Sequence, residues 1–419
     1  MKKHGWTLVI LLLVYFVLIA SSDQSLEGDE FRYLRYASDM VEGSYTDANN
    51  PDLSNGPGYP IVLLPFVALN ISLLVPKLLN GIFVFIGILY FYQTLKFFVK
   101  RKYALIFSVV LGVYPPLLRW MTVLYSEALS FMLICGIIYY FCLLNQGKER
   151  RWKNCVLASF FLGFLVLTKV IFFYVLTVSA VLLFILMIIK NKPIIRWSTL
   201  ILIGSFVFIL PYVVYAYSVT EKLFYLGNRG GEILYHRSTP YEKELGNWFS
   251  ADAILGEKSE IDYILRTYQD LTQLRENHHE FYSKLQPLTI IERDSAFKAK
   301  AIENMKAHPV KYMKNTVANT GRLLFNYPFS YRSQSLNTYG YLIPNMFIIV
   351  LLILIAYPAF LRRKKVPFEI WAILIFGLIY GGGTLVAGGS SRYFIMLVPF
   401  LAIFLVYCYT NILKISIPK

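Results

Sequence analysis

Long apolar runs alternate with short polar ones along most of this chain. Ten runs stand out, at about residues 6–22, 74–98, 103–118, 122–144, 152–168, 170–189, 197–218, 340–361, 367–386 and 393–412. A helix needs roughly 20 apolar residues to cross a bilayer. The pattern therefore predicts an all-α polytopic membrane protein of about ten transmembrane helices. If each run crosses and the N-terminus is inside, the basic clusters share one side: KK at 2–3, KRK at 100–102, KERRWK at 148–153, KNK at 190–192 and RRKK at 362–365. Clusters of this kind hold cytoplasmic loops in place.

Two long polar segments interrupt the alternation and set the domains. Residues 1–218 form an N-terminal transmembrane module that carries an outer loop at 23–73. Residues 219–339 form an extracytoplasmic subdomain of mixed charge, and 340–419 are C-terminal transmembrane helices. The stretch 23–52 is acidic, with Asp23, Glu27, Asp29, Glu30, Asp39, Glu42, Asp47 and Asp52 against Arg32 and Arg35. Residues 59–74 are apolar, but Pro60 and Pro65 interrupt them. They read as a short helix at the interface or packed on the bundle. Residues 291–327 have helical composition, broken at Pro309.

Composition agrees: 57% of the 419 residues are hydrophobic and 16% are charged, a balance wrong for a soluble globular protein. A net charge of +16 invites a nucleic-acid reading. The basic residues lie in inter-span clusters instead, so nucleic acid is not expected as a partner. Cys135, Cys142, Cys155 and Cys408 lie in or beside apolar runs without metal-binding spacing, and imply no disulfide. The N-terminus imitates a signal peptide, but a retained first helix is expected, because the next loop carries the candidate chemistry. The sequence shows no internal repeat of the kind that marks many transporters.

Ionisable residues at span ends are few: Lys77, Arg119, Glu127, Lys169 and Arg392. In the expected topology all five lie at the external membrane edge, below the loop bearing Asp29 and Glu30. Cations at that depth suit an anionic lipid headgroup, and arginine matches phosphate oxygens with a bidentate fork. Each residue also has a plainer reading. Lys77 and Arg119 fit snorkelling helix ends, Glu127 fits a structural partner for Arg119, and Asp29 with Glu30 fits a solvated loop pair. Gly388, Gly389, Ser390 and Ser391 before Arg392 would let a ligand approach the backbone.

The stretch GDEFRYLRYASDMVEGSY (28–45) followed by NGPGYPIVLLP (55–65), the later RYFIMLVPFLAIF (392–404), GNRGGEILYHRSTP (227–240) and the HPVKYMKN run together resemble the GT-C integral-membrane glycosyltransferases. The likeness is to the branch of dolichyl-phosphate-mannose protein mannosyltransferases and bacterial aminoarabinose transferases. One departure is plain. The aminoarabinose branch has a lysine before its Pro-Pro step, where this chain reads SNGPGYP.

The resemblance implies a sugar donor on a polyprenyl phosphate. Asp29 would take the proton of an acceptor hydroxyl, which would attack the anomeric carbon with inversion. Glu30 would orient Asp29 or the acceptor. Arg392 and Lys169 would hold the departing phosphate, Lys169 standing in for the missing lysine. Tyr59 and Tyr393 would line the donor groove, Glu127 is the candidate second acid, and 219–339 would cover the site. The acceptor, whether lipid, glycan or protein, stays open. No cofactor is expected, although Asp29, Glu30 and Glu127 have the oxygen ligands a divalent ion takes. The expected location is the cytoplasmic membrane, multi-pass, with the site on the extracytoplasmic side. A lipid-linked glycan flippase or polymerase, and a structural subunit of a cell-envelope complex, are the alternatives.

Overall fold

The computed structural model describes residues 2–146, 151–189, 193–256, 271–332, 334 and 336–413. Lys148–Arg150 of one basic cluster, and Lys190, Asn191 and Lys192 of another, lie outside the described residues. Every regular element among the described residues is helical.

The N-terminal module begins with α1 (Lys2–Ala20), whose apolar part is Leu8–Ala20. Two short helices follow in the first polar loop, α2 (Asp29–Val41) and α3 (Gly58–Ala68). At 11 residues α3 is too short to span, as its prolines predicted. Then come α4 (Leu74–Leu95), α5 (Arg101–Gly112), α6 (Pro115–Met121), α7 (Glu127–Gln146), α8 (Arg151–Thr168), α9 (Ile171–Ile189) and α10 (Pro193–Thr220). The polar segment carries α11 (Gly230–Arg237), α12 (Ala251–Leu255), α13 (Thr272–Leu285), α14 (Ile290–Ala307) and α15 (Pro309–Phe325). The chain closes with α16 (Asn337–Leu361), α17 (Phe368–Ala387) and α18 (Ser391–Asn411).

Among the described residues, eight helices are long and apolar enough to cross a membrane: α4, α7, α8, α9, α10, α16, α17 and α18. The span expected at 103–118 is broken. Its halves α5 and α6 meet at 55°, because Pro115 and Pro116 supply no backbone N–H and force Tyr114 into an extended conformation. Tyr15 Oη satisfies a freed carbonyl, donating to Gly112 O at 2.7 Å, and Tyr114 Oη ties the break to α16 by donating to Asn345 Oδ1. The span expected from residue 122 starts instead at Glu127, and residues 122–126 form the turn between α6 and α7.

α18 is the most deeply buried of the eight spans, and Phe394, Ile395, Met396 and Cys408 are wholly enclosed. α9 and α16 turn most of their apolar surface outward, as lipid-facing helices do. At the basic end, Tyr407 Oη donates to Lys365 O at 2.8 Å and Asn411 Nδ2 donates to Phe98 O at 3.4 Å. Asp29 lies at the opposite end. All four cysteines are free and buried. The polar segment has its own core, built on Tyr235, Phe249, Ile254, Leu274, Tyr282 and Phe297.

Candidate functional site

The Gly28–Glu30 step starts α2. Gly28 sits at φ 56°, a conformation that favours glycine, and turns the chain into the helix. Glu30 then reaches back. Its Oε2 accepts the Glu27 N–H at 2.7 Å, its Oε1 accepts the Leu124 N–H at 2.7 Å, and Lys77 Nζ is 3.9 Å away. Both Glu30 and Lys77 are wholly buried. Burial pushes the Glu30 carboxyl above the usual range, against the pull of the two backbone N–H groups. Glu30 therefore fastens the start of α2 to the α6–α7 turn, and its carboxylate points away from the one on Asp29. Lys77 does not snorkel, since its ammonium is enclosed beside Glu30.

Asp29 faces the other way, into a ladder of alternating charges. Its carboxylate pairs with Arg32 one turn along α2, and its Oδ2 lies 2.7 Å from Arg392 Nη1. Arg392 Nε reaches Glu127 Oε1 at 3.6 Å, and the same oxygen accepts from Lys169 Nζ at 2.8 Å. The order is Arg32, Asp29, Arg392, Glu127, Lys169. Burial alone would raise the Asp29 carboxyl. The guanidiniums of Arg392 and Arg32 outweigh it and hold the group well below the usual carboxylate range. The two ion pairs thus favour the ionised form of Asp29.

Aromatic rings wall the ladder. The Arg392 guanidinium lies 5.1 Å from the Tyr125 ring centre, 5.4 Å from Tyr393 and 5.8 Å from Trp120, and Lys169 Nζ lies 5.5 Å from Tyr393. Tyr33 Oη is 2.9 Å from Ser126 Oγ, next to Glu127. Arg229, at the start of α11, adds positive charge toward Asp29 while its Nε donates to Glu232 Oε2 at 3.0 Å.

Two glycine-containing turns set the cations in place. Any Cβ on Gly56 would stand 2.0 Å from Leu167 O, so the SNGPGYP loop packs directly on the α8–α9 turn that bears Lys169. Asn228 holds the same loop, donating to Pro51 O at 2.6 Å and accepting the Leu53 N–H at 3.0 Å. The turn before Arg392 is clamped by Asn319 of α15. Its Nδ2 donates to Leu385 O at 2.6 Å and its Oδ1 accepts the Gly389 N–H at 2.7 Å. A Cβ on Gly389 would stand 2.4 Å from that oxygen. The glycine admits an asparagine of the chain itself, where sequence reasoning expected a ligand.

The structure brings together Asp29, Glu127, Lys169, Arg392 and Tyr393, and leaves out Glu30 and Tyr59. Tyr59 lines no groove: it is fully buried and donates to Asn80 Oδ1 at 3.1 Å, while Asn80 Nδ2 donates to Val123 O at 2.7 Å. Arg119 pairs with Glu27, not Glu127. With Glu30 turned away, the three carboxylates considered for a divalent ion do not converge. No group of three or more His, Cys, Asp or Glu that could hold a metal exists among the described residues. Sequence reasoning missed Arg32 and Arg229 as site charges. Arg32 would have followed from placing Asp29 at a helix start, since residues three apart share a face. Arg229 had no local signal beyond its glycine-rich neighbours.

No family model matches the chain, and no curated protein matches it in sequence. Solved structures do match. The archaeal oligosaccharyltransferase AglB from Archaeoglobus fulgidus, in complex with an inhibitory peptide and a dolichol-phosphate, is similar at a TM-score of 0.52 and 13% identity, over 97% of this chain and 50% of that one. An oligosaccharyltransferase from Archaeoglobus fulgidus in the apo form gives a TM-score of 0.54 at 13% identity, again over 97% and 50%. ArnT from Cupriavidus metallidurans, bound to undecaprenyl phosphate, matches at a TM-score of 0.44 and 12% identity over 98% of this chain and 78% of that one. The chain thus spans about half the length of AglB. The likeness to AglB shows a shared fold.

Proposed function

We propose that this chain is an inverting glycosyltransferase of the cytoplasmic membrane, moving a sugar from a polyprenyl-phosphate donor to an acceptor at the extracytoplasmic face. The observation that carries this reading is the ladder Arg32–Asp29–Arg392–Glu127–Lys169 at the end of the bundle away from the basic loops. It holds three cations and two carboxylates, so it has one positive charge to spare. A lipid monophosphate arriving at that level competes with Asp29 and Glu127 for Arg392 and Lys169. Arginine and lysine in a water-poor setting stabilise the charge that grows on a departing phosphate. The AglB fold agrees with a lipid-phosphate-linked sugar donor.

The chemistry then follows from the residues. Asp29 is an ionised carboxylate, released toward the acceptor as Arg392 shifts to phosphate. It takes the hydroxyl proton while the hydroxyl oxygen attacks the anomeric carbon. The carbon–oxygen bond to phosphate breaks on the opposite face, the configuration inverts, and polyprenyl phosphate leaves on Arg392 and Lys169. Glu30 acts as a positioning residue, fixing the start of α2 and hence Asp29. Tyr393 lies beside both phosphate cations.

The test is transfer by purified protein from a panel of polyprenyl-phosphate sugars, with simple alcohols or water as surrogate acceptors, in detergent. Wild type should form product and Asp29→Asn should not, with equal expression and donor binding. Full activity in Asp29→Asn sinks the base assignment. No donor binding by wild type shifts weight to the flippase or structural-subunit reading.

A further inference from the structure

α15 is amphipathic in the opposite sense from a helix packed on a soluble core. Its polar stripe is inside. Lys311, Asn315, Asn319 and Arg322, at helical spacing, are all buried. Lys311 Nζ donates to Glu244 O at 2.6 Å, Asn315 Nδ2 to Arg237 O at 2.9 Å, Asn319 to the Leu385 carbonyl, and Arg322 Nη2 to Leu245 O at 3.0 Å. The apolar stripe is outside: Val310, Met313 and Val317 are 67%, 68% and 73% exposed. Water is a poor partner for such a face, and a three-residue stripe three and four residues apart suits a flat apolar boundary.

The position of the helix says which boundary. Asn319 binds the last turn of α17, at the end of a membrane span. Further along, Leu323 is buried in the transmembrane core. The Leu324 carbonyl accepts from Asn345 Nδ2, two turns or about 12 Å inside α16. α15 therefore enters the bundle at the level of the span ends. α16, against which α15 packs, also bares apolar side chains: Tyr339, Ile343 and Phe347 are each 60% exposed or more. Lys306 and Lys314 flank the stripe and are exposed. Lys314 also meets Glu242 at 3.2 Å. Long cations beside an apolar face can reach headgroup phosphates.

We infer that α15 docks on the bilayer itself, with Val310, Met313 and Val317 set in the headgroup–acyl boundary of the leaflet nearest the Asp29 site. Lipid contact would hold the helix that clamps the Arg392 turn. The inference stands on the helix's own surface and does not depend on the reaction.

Single variants Met313→Cys and Val317→Cys test it, with Glu303→Cys on α14 as an exposed control. The four native cysteines are buried, so background labelling should be low. Each full-length variant is labelled with a small environment-sensitive fluorophore and reconstituted into phosphatidylcholine–phosphatidylglycerol vesicles. Lipids brominated near the headgroup end of the chain should quench the labels at 313 and 317 several-fold more than the label at 303. Quenching should be weaker with bromines near the chain terminus, because the helix is expected to lie about 5–10 Å deep. Absence of quenching at 313 and 317, with free reaction toward a water-soluble thiol reagent, would overturn the inference. Protection from both bromolipid and reagent would also overturn it, in favour of a covering protein or second copy.

Discussion

Deleting the guanidinium of Arg392 separates the chemistry of the ladder from its contribution to folding. Arg392 Nη1 stands 2.7 Å from Asp29 Oδ2 and its Nε 3.6 Å from Glu127 Oε1. At an effective dielectric near 20, such contacts carry roughly 4–6 kcal/mol of Coulomb energy each before desolvation is subtracted. Arg392→Ala nonetheless leaves neither carboxylate alone. Asp29 keeps Arg32, and Glu127 keeps Lys169 at 2.8 Å. The folding cost should therefore stay near that of one charged hydrogen bond, about 1.5–3 kcal/mol. The cost to transfer should be larger, since removing one preorganised donor to a developing anion lowers rates about 10²–10³-fold. Arg392→Lys keeps the charge but loses the fork that meets two carboxylates at once, so it should recover only part of the rate.

The assay is the initial rate of sugar transfer over a donor series, with a thermal melt alongside and a pH profile of kcat/KM. Arg392 is the largest single pull holding the Asp29 carboxyl down. A general base works when ionised, so the wild-type acid limb should lie below the ordinary carboxylate range. Without Arg392 that limb should move to higher pH. An Arg392→Ala enzyme within about threefold of wild type, under 1 kcal/mol in barrier, with an unmoved limb, would refute the reasoning.

Glu30→Ala should destabilise the protein by about 3–5 kcal/mol, because it leaves the enclosed Lys77 ammonium without a carboxylate. Pairing Glu30→Gln with Lys77→Met should restore much of the lost thermal stability in detergent, and failure to do so would mean that the two residues act independently. Asn319→Ala should lower kcat/KM about tenfold through a misplaced Arg392 turn. Thr316→Ala, one turn earlier on α15, should not, since its hydroxyl donates to Tyr312 O within the helix. His236 is pushed down to about 3 by burial, against about 6.5 in an unfolded chain. A depressed group contributes stability above its unfolded pKa and loses it as pH falls toward its folded one. Between about pH 6.5 and 3 the core around Tyr235, Phe249 and Tyr282 should therefore loosen, visible as falling hydrogen-exchange protection factors, and His236→Gln should flatten that dependence.

Residue order alone determined the membrane class and most span boundaries. Apolar run length is a local property, and the bilayer demands it segment by segment. The same holds for the free cysteines and for the short Pro-interrupted α3. Local sequence also located the charges that meet: Asp29, Glu127, Lys169 and Arg392 were each visible as ionisable residues near a span end or in the loop above. It did not reveal their partners. Glu127 stood closer in sequence to Arg119, yet the fold gives Arg119 to Glu27 and brings Lys169 and Arg392 to Glu127. Adjacent residues on a helix diverge by about 100°, so Asp29 and Glu30 meet different partners. Nothing in the order of residues marks which of them faces Lys77 and which faces Arg392. The broken α5–α6 span, the inward polar stripe of α15 and the Asn319 clamp on Gly389 were likewise decided by packing. Each joins segments tens to hundreds of residues apart, where only the assembled bundle settles which groups can satisfy one another.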